Sequence, residues 1–461
     1  MELQRWEVAG LGHYSYLIAS EGAAVVVDPR RDVDAYLEFA AARGWKITHV
    51  VETHIHADYA SGARELAERA GAELCLSAHD QDEQYSYQFP HRGLRHGDCI
   101  RIGGIELVAL HTPGHTPEHL CFLLPRQHPA APVLLSGDFL LVGSLGRPDL
   151  LGAEATRRLA EMLYASAHGP LRELPDDTLV LPAHGADSLC GSGIAAQPLS
   201  TLGRERAANR FLNETDRDGF LQRVLAELPP RPAYFARMKQ LNAAGPPRLG
   251  ALPGGRALRP EPFRSALEQE EAIVVDLRGP EEFAAAHLPG AINVPLGRSF
   301  VSWAAWVLPC DRPLLLVGAE ADEQQEAARR ALVRVALDDI RGVLAGGVPA
   351  WQAAGWPVET LEPWEPDELS AHPSALVLDV RSPAEWQTGH IPDALHIPCA
   401  ELVERLSELP REATICAVCA SGMRSSMAAS LLRRAGFSRV RHLAGGMGAW
   451  QKRGLPVVHP A

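Results

Sequence analysis

What the chain lacks narrows its reading first. No run of about 18 apolar residues is present to cross a bilayer, so no membrane partner is expected. The first residues, MELQRWEVAG, offer neither the basic nor the apolar segment of a secretion signal, and none is expected. Lys and Arg number 44 against 57 Asp and Glu, a net charge of −13, and no basic stretch is long enough to follow a phosphate backbone. A nucleic-acid partner is therefore not expected. Eight cysteines are scattered over 461 residues without the density of a disulfide framework, which favours reduced thiols and a cytoplasmic location. Cys75, Cys99 and Cys121 sit in or beside apolar runs and read as small buried hydrophobes.

The length suits two to four domains, and a 46 % hydrophobic fraction supplies full cores. Short β-branched runs, AAVVVDP (23–29), ITHVVETH (47–54), IELVALHT (105–112), VLLSGD (133–138) and TLVLPAHG (178–185), read as buried strands separated by helical stretches. Four of the five end in His or Asp clusters, and strands side by side in a sheet would deliver those clusters to one edge. Residues 186–245 read as helices interrupted by prolines, and GPPRLGALPGG (245–255) as a linker. Beyond it VVDLRGPEEFAAAHLPGAINVPL (274–296) is answered by VLDVRSPAEWQTGHIPDALHIPC (377–399), a duplicated α/β unit of about 100 residues. Three domains are expected, at 1–245, 256–362 and 365–461.

His54, His56, Asp58, His115, Asp138 and His184 all fall at or just after strand ends, a pattern that one isolated histidine would not carry. A two-zinc hydrolytic site would need a further nitrogen at position 59, where the chain has Tyr59. A phenol with a reference pKa of about 10 is a poor ligand for such an ion. What remains can present two histidines and one carboxylate on one face, the set favoured by mononuclear non-haem Fe(II). Cys190 follows the His184 turn closely enough to approach the same pocket.

The sequence TICAVCASGMRSSMAASLLRRAG (414–436) reads as strand, tight loop and helix, with Cys419 opening the loop and Arg424 at the helix entry. Backbone N–H groups at a helix start favour a thiolate and cradle an anion, so Cys419 reads as a nucleophile able to hold a sulfane sulfur. The first copy has LLLVGAEADEQQ (314–325) there, without a cysteine and with acidic Glu320, Asp322 and Glu323, and reads as a non-catalytic module.

THIHADYASG (53–62), HTPGHTPEH (111–119), LLSGDFLLVGSLGRPDL (134–150) and LPAHGADSLCG (181–191) resemble the metallo-β-lactamase superfamily, and within it the persulfide dioxygenases. LDVRSPAEW, GHIPDALHIP, CASGMR and LAGGMGAW resemble the rhodanese family. The resemblance implies an α/β fold: a metallo-β-lactamase αββα sandwich followed by two rhodanese-like α/β domains, the first inactive. It places one mononuclear Fe(2+) on His54, His115 and Asp138, with His56, Asp58, Tyr59 and His184 around the ligands. It further implies that Arg147 lies near the thiol carrier's end of the pocket, that Cys419 carries sulfur and that Arg424 shapes and charges its loop. Cys190, from its position after the His184 turn, is expected to face substrate too. The implied partners are a low-molecular-weight thiol persulfide of the glutathione or coenzyme A type, O2, and sulfite or thiosulfate. A homo-oligomer is expected. The rival expectations are a glyoxalase-II-like zinc thioesterase and a non-catalytic sulfur-relay scaffold.

Overall fold

The computed structural model describes residues 1–126, 130–269, 271–319 and 321–460, in two compact units. The first comprises Met1–Ala251 with Val333–Ala336, the second Leu252–Leu332 with Leu337–Ala461. Among the described residues no helix is long and apolar enough to cross a membrane.

In the first unit, one sheet takes six strands in chain order: β1 (Glu2–Val8), β2 (His13–Ser20), β3 (Ala23–Val27), β4 (Lys46–Val51), β5 (Glu73–Ser77) and β6 (Arg92–Leu94). The second sheet uses β7 (Cys99–Ile102), β8 (Ile105–His111), β9 (Leu120–Leu124), β10 (Val133–Gly137), β13 (Leu179–Pro182) and β14 (Ser200–Thr201) in the order β14-β13-β10-β9-β8-β7. Between β10 and β13 lies a small hairpin, β11 (Leu140–Leu141) with β12 (Ser144–Leu145). Alternation along the strands builds three apolar layers. Tyr16, Ile18, Val25 and Val27 meet Leu107, Phe122, Val133 and Leu135 between the sheets. Leu17, Val26 and Val50 face outward onto Tyr36 and Leu66, while Leu134 and Val180 face Leu163 and Phe220. The result is a helix–sheet–sheet–helix sandwich.

All five expected strands form, but they divide between the sheets. β3 and β4 lie in one, β8, β10 and β13 in the other. The histidine and aspartate clusters therefore converge from two facing sheets, where a single sheet edge was expected. Cys75 and Cys121 are buried as expected, whereas Cys99 is exposed. Its strand β7 is an edge strand whose alternation turns Ile100 and Ile102 inward, leaving Cys99 and Arg101 outside.

The second unit holds two five-stranded parallel sheets of the same topology. β15 (Ala257–Leu258), β16 (Ile273–Asp276), β17 (Ile292–Asn293), β18 (Leu314–Val317) and β19 (Ile340–Leu344) take the order β15-β19-β18-β16-β17. β20 (Pro363–Trp364), β21 (Leu376–Asp379), β22 (Leu395–His396), β23 (Ile415–Val418) and β24 (Val440–Leu443) repeat it as β20-β24-β23-β21-β22. Matching side chains do matching work. Arg278 pairs with Asp276 and Arg381 with Asp379, each at 2.6 Å, and His287 stacks on Phe283 as His390 stacks on Trp386.

Candidate functional site

The loop after β4 carries His54, and its hydrogen bonds fix which ring nitrogen is free. Thr53 Oγ1 donates to Asp28 Oδ2 at 2.9 Å and accepts from His54 Nδ1 at 2.9 Å, so His54 Nε2 keeps its lone pair. His115, in the loop after β8, donates Nδ1–H to the Arg147 carbonyl at 2.9 Å and likewise leaves Nε2 bare. Asp138 follows β10 and accepts His184 Nδ1–H on Oδ1 at 2.5 Å, which leaves Oδ2. These three atoms are buried and have no hydrogen-bond partner among the described residues. Asp138 Oδ2 lies 3.8 Å from His54 Nε2 and 3.3 Å from His115 Nε2, and all three fall within 4.8 Å of one another.

A cation held at about 2.0–2.2 Å by three ligands on one side needs donor atoms about 3–4 Å apart, and both separations from Asp138 Oδ2 meet that spacing. The protonation states fit as well. Burial pulls His115 down to about 4 and His54 well below the usual histidine range. Burial alone would favour a neutral Asp138, but His184 and His115 hold it ionised, well below the ordinary carboxylate range. Two neutral imidazoles and one carboxylate thus face a single point.

The surrounding residues are engaged elsewhere. Besides its bond to Asp138, His184 directs Nε2 to Asp58 Oδ2 at 2.8 Å. Although burial opposes charge, those two carboxylates keep its pKa well above the usual value. A ring that donates from both nitrogens has no lone pair for a metal. His56 Nε2 is 3.1 Å from Asp28 Oδ1, and Asp28 raises its pKa against the effect of burial. Tyr59 donates to the Asp28 carbonyl at 3.3 Å, and burial pushes its pKa well above 10, so it stays a phenol. Its ring stacks on His13 at 3.9 Å, a buried histidine that sequence reasoning missed.

Cys190 is brought to this pocket: its sulfur lies within 4.8 Å of donor atoms of Asp58 and His184. Burial pushes the thiol well above its ordinary pKa. Arg147 requires a correction. All five of its guanidinium N–H groups are taken by protein: Nε and Nη2 by Asp149, Nη2 also by the Pro229 carbonyl, and Nη1 by the carbonyls of Leu189 and Pro230. It fastens the pocket wall, and its carbonyl orients His115; no N–H edge is left to receive a ligand carboxylate.

Sequence reasoning also missed a clamp on the metal loop. The helix Tyr234–Ala244 presents Lys239 and Asn242, three residues apart on one face and both 1 % exposed. Lys239 Nζ donates to the Ile55 carbonyl at 2.8 Å, while the Ile55 N–H donates to Glu118 at 2.8 Å. Asn242 Nδ2 reaches the carbonyls of His56 and Tyr59, both at 2.8 Å, and its Oδ1 accepts Ser61 N–H at 2.9 Å. The only sequence signal was the helical spacing of two polar residues among apolar ones.

In the second unit Cys419 follows β23, buried beneath its loop. The Gly422 N–H points at its sulfur at 3.1 Å, and Ser425 Oγ lies 3.5 Å away. Gly422 opens the helix Met423–Arg434 with φ of 103°, a left-handed turn that glycine adopts without strain. Arg424 lies in the first turn of that helix, and its guanidinium is gripped bidentately by Glu385 at 2.7 and 2.6 Å, so its charge is shared with a carboxylate. The pairing draws Glu385 down to about 2. In the first copy, Val317 pairs with Asp276 as Val418 pairs with Asp379, so Gly318 stands where Cys419 does. A β-carbon at Gly318 would lie 2.3 Å from Arg278 Cγ, so the side chain is absent and there is no room for one. Asp322 and Glu323 begin the next helix as exposed residues; Glu320 lies outside the described residues.

Comparison with known proteins agrees with this architecture. The profile of the metallo-beta-lactamase superfamily matches residues 8–184, and that of the rhodanese-like domain matches 259–354 and 365–453. A crystal structure of a metallo-beta-lactamase from Staphylococcus aureus subsp. aureus COL shares 32 % identity with a TM-score of 0.66, covering 75 % of this chain and 98 % of that one. The chain belongs to the metallo-beta-lactamase superfamily, with two rhodanese-like domains following that fold. A hydroxyacylglutathione hydrolase of Polaromonas sp. is 36 % identical over 182 residues, 39 % of this chain and 64 % of the hydrolase, so the chain spans just under two thirds of that relative. A sulfurtransferase of Allochromatium vinosum is 44 % identical over 85 residues, 18 % of this chain and 79 % of the relative. The protein thus joins a metallo-β-lactamase fold, with a candidate metal-ligand group, to two rhodanese-like domains, of which the second carries the loop cysteine.

Proposed function

We propose that the first unit is a mononuclear non-haem Fe(II) persulfide dioxygenase and that Cys419 is the sulfur carrier of a coupled sulfurtransferase. One observation carries the reading. His54 Nε2, His115 Nε2 and Asp138 Oδ2 are bare and converge, while His184 is engaged through both nitrogens and Tyr59 remains a phenol. Two imidazoles and one carboxylate on a single side suit one ferrous ion, whose chemistry when bound is to combine O2 with the terminal sulfur of a persulfide. The net change is RSSH + O2 + H2O → RSH + SO3²⁻ + 2 H⁺.

The chain's own groups prepare the site. Asp28 through Thr53, and the Arg147 carbonyl, hold the two rings with Nε2 forward. Doubly anchored, His184 keeps Asp138 Oδ2 aimed at the same point. Cys190, neutral and buried, walls the pocket beside Asp58. At the second site Cys419 takes sulfur, CysSH + RSSH → CysSSH + RSH, with Gly422 N–H directed at the reacting atom. Transfer to sulfite then gives thiosulfate, CysSSH + SO3²⁻ → CysSH + S2O3²⁻, and the same residues serve the reverse. The carrier thiol is of the glutathione or coenzyme A type.

The test is anaerobic loading with Fe(II), then O2 uptake with glutathione persulfide. Uptake with thiosulfate as product is expected, and Cys419→Ser should keep uptake while sulfite replaces thiosulfate. A second reading, a zinc thioesterase, draws support from the similarity to a hydroxyacylglutathione hydrolase. Zinc-dependent thioester cleavage without O2 uptake would establish it and refute the dioxygenase.

A further inference from the structure

The helix that begins at the cysteine loop is buried more completely than one sheet alone requires. Residues 425–432 of Met423–Arg434 are buried without interruption, so both the inner and the outer face are covered. β23 and β24 cover one side; β17 and the helix Pro280–Ala285 of the first, cysteine-free copy contact the other.

At that seam one residue joins the copies. Asn293, at the end of β17, is fully buried. Its Nδ2 donates to the carbonyls of Asp276 at 3.2 Å and Arg278 at 2.9 Å, anchoring it in its own copy. Its Oδ1 accepts from Ser426 Oγ at 2.7 Å, and its backbone N–H donates to Ser430 Oγ at 3.0 Å, both on the cysteine-loop helix. Ser430 in turn donates to the Met427 carbonyl at 2.6 Å. Ser425, next to Ser426, is the hydroxyl beside the Cys419 sulfur, and it donates to the Gly422 carbonyl at 3.0 Å. His396 holds the corresponding place in the second copy and keeps the inner contact, its Nε2 2.9 Å from the Arg381 carbonyl. The bridge to Ser426 and Ser430 is therefore an addition to the ordinary fold.

We infer that Asn293 is a positioning residue for Cys419: through Ser426 and Ser430 the cysteine-free copy sets the rotation and depth of the helix whose first turn aims Gly422 N–H at the sulfur. The first copy thus acts on the sulfurtransferase site through the helix and not by touching the sulfur. A buried serine hydroxyl without its acceptor turns toward another, and a helix rotated slightly moves its N-terminal N–H groups off the sulfur. This rests on the proposed sulfur transfer at Cys419.

The experiment uses the full chain. Turnover with glutathione persulfide and sulfite, sulfur loading on Cys419 by mass spectrometry, thermal unfolding and metal content are measured for wild type, Ser426→Ala, Asn293→Ala and Ser426→Thr. Ser426→Ala and Asn293→Ala should lower kcat about tenfold or more, the effect of one buried hydrogen bond, with KM altered less than about twofold and metal content unchanged. Ser426→Thr, which keeps the hydroxyl, should restore most of the rate. Unchanged kcat in both Ser426→Ala and Asn293→Ala overturns the inference. So does loss that tracks unfolding temperature and is not rescued by Ser426→Thr, since the bond then only stabilises the fold. A wild type that never loads sulfur on Cys419 refutes the transfer reading itself, and the inference with it.

Discussion

Replacing Asn242 by leucine tests whether the Tyr234–Ala244 helix holds the metal loop. The substitution keeps approximate volume but strips partners from three buried backbone groups: the carbonyls of His56 and Tyr59 and the N–H of Ser61. Each buried group left unpaired costs about 1–3 kcal/mol, so the change should destabilise the first unit by at least about 3 kcal/mol. For a domain of this size about 3 kcal/mol lowers the unfolding temperature by roughly 6–12 °C. Groups that orient metal ligands typically change affinity by about 10–100-fold, and a loop freed at three points should fall in that range. Scanning calorimetry and competition with a chromophoric chelator for Fe(II) or Co(II) read the two effects. Sulfur loading on Cys419, in the other unit, should not change. A leucine variant that unfolds at the wild-type temperature and keeps wild-type affinity would refute the clamp.

Further outcomes follow from the same geometry. Tyr59→Phe should hold metal within about twofold of wild type, because a phenol that remains protonated is not a ligand; loss of metal would refute that assignment, by chelator competition. Gly318→Cys should not load sulfur despite occupying the equivalent of Cys419, because Arg278 fills the space its β-carbon needs; persulfide tagging at that residue is the check. The Glu385 carboxylate, drawn down to about 2 chiefly by its bond to Arg424, contributes stability that is complete above its unfolded pKa of about 4.3 and is lost as pH falls from there toward 2. Acid unfolding of Glu385→Gln should therefore be flatter than wild type across that window, and an unchanged slope would contradict the pairing.

Much of this arrangement is legible from sequence where its cause is local. AAVVVDP and VLLSGD can hardly be other than buried strands, and a ligand placed directly after a strand end inherits that strand's position. Strand-end placement gathers six candidates, from which the family resemblance takes His54, His115 and Asp138, and the donor atoms of those three meet in the structure. The repeat in the sequence marks two like domains, and their strand orders coincide. What stayed hidden depends on partners far along the chain. Arg147 read as a pocket residue because nothing nearby reveals that the Pro229 and Pro230 carbonyls, more than 80 positions on, satisfy it. Lys239 and Asn242 lie in a weakly patterned stretch, and their acceptors are over 180 positions upstream. Division of the strands between two sheets is likewise invisible to periodicity, which reports that a strand is buried and not against what. Cys99 is a different case: the alternation of CIRI already assigned it outward, and the apolar neighbours masked the signal.

The clamp has a consequence for biosynthesis. His54 and His56 leave the ribosome first, and the side chain that fastens the Ile55 carbonyl between them arrives 184 residues after that carbonyl. A growing polypeptide therefore presents both imidazoles long before the helix that secures their backbone has been made.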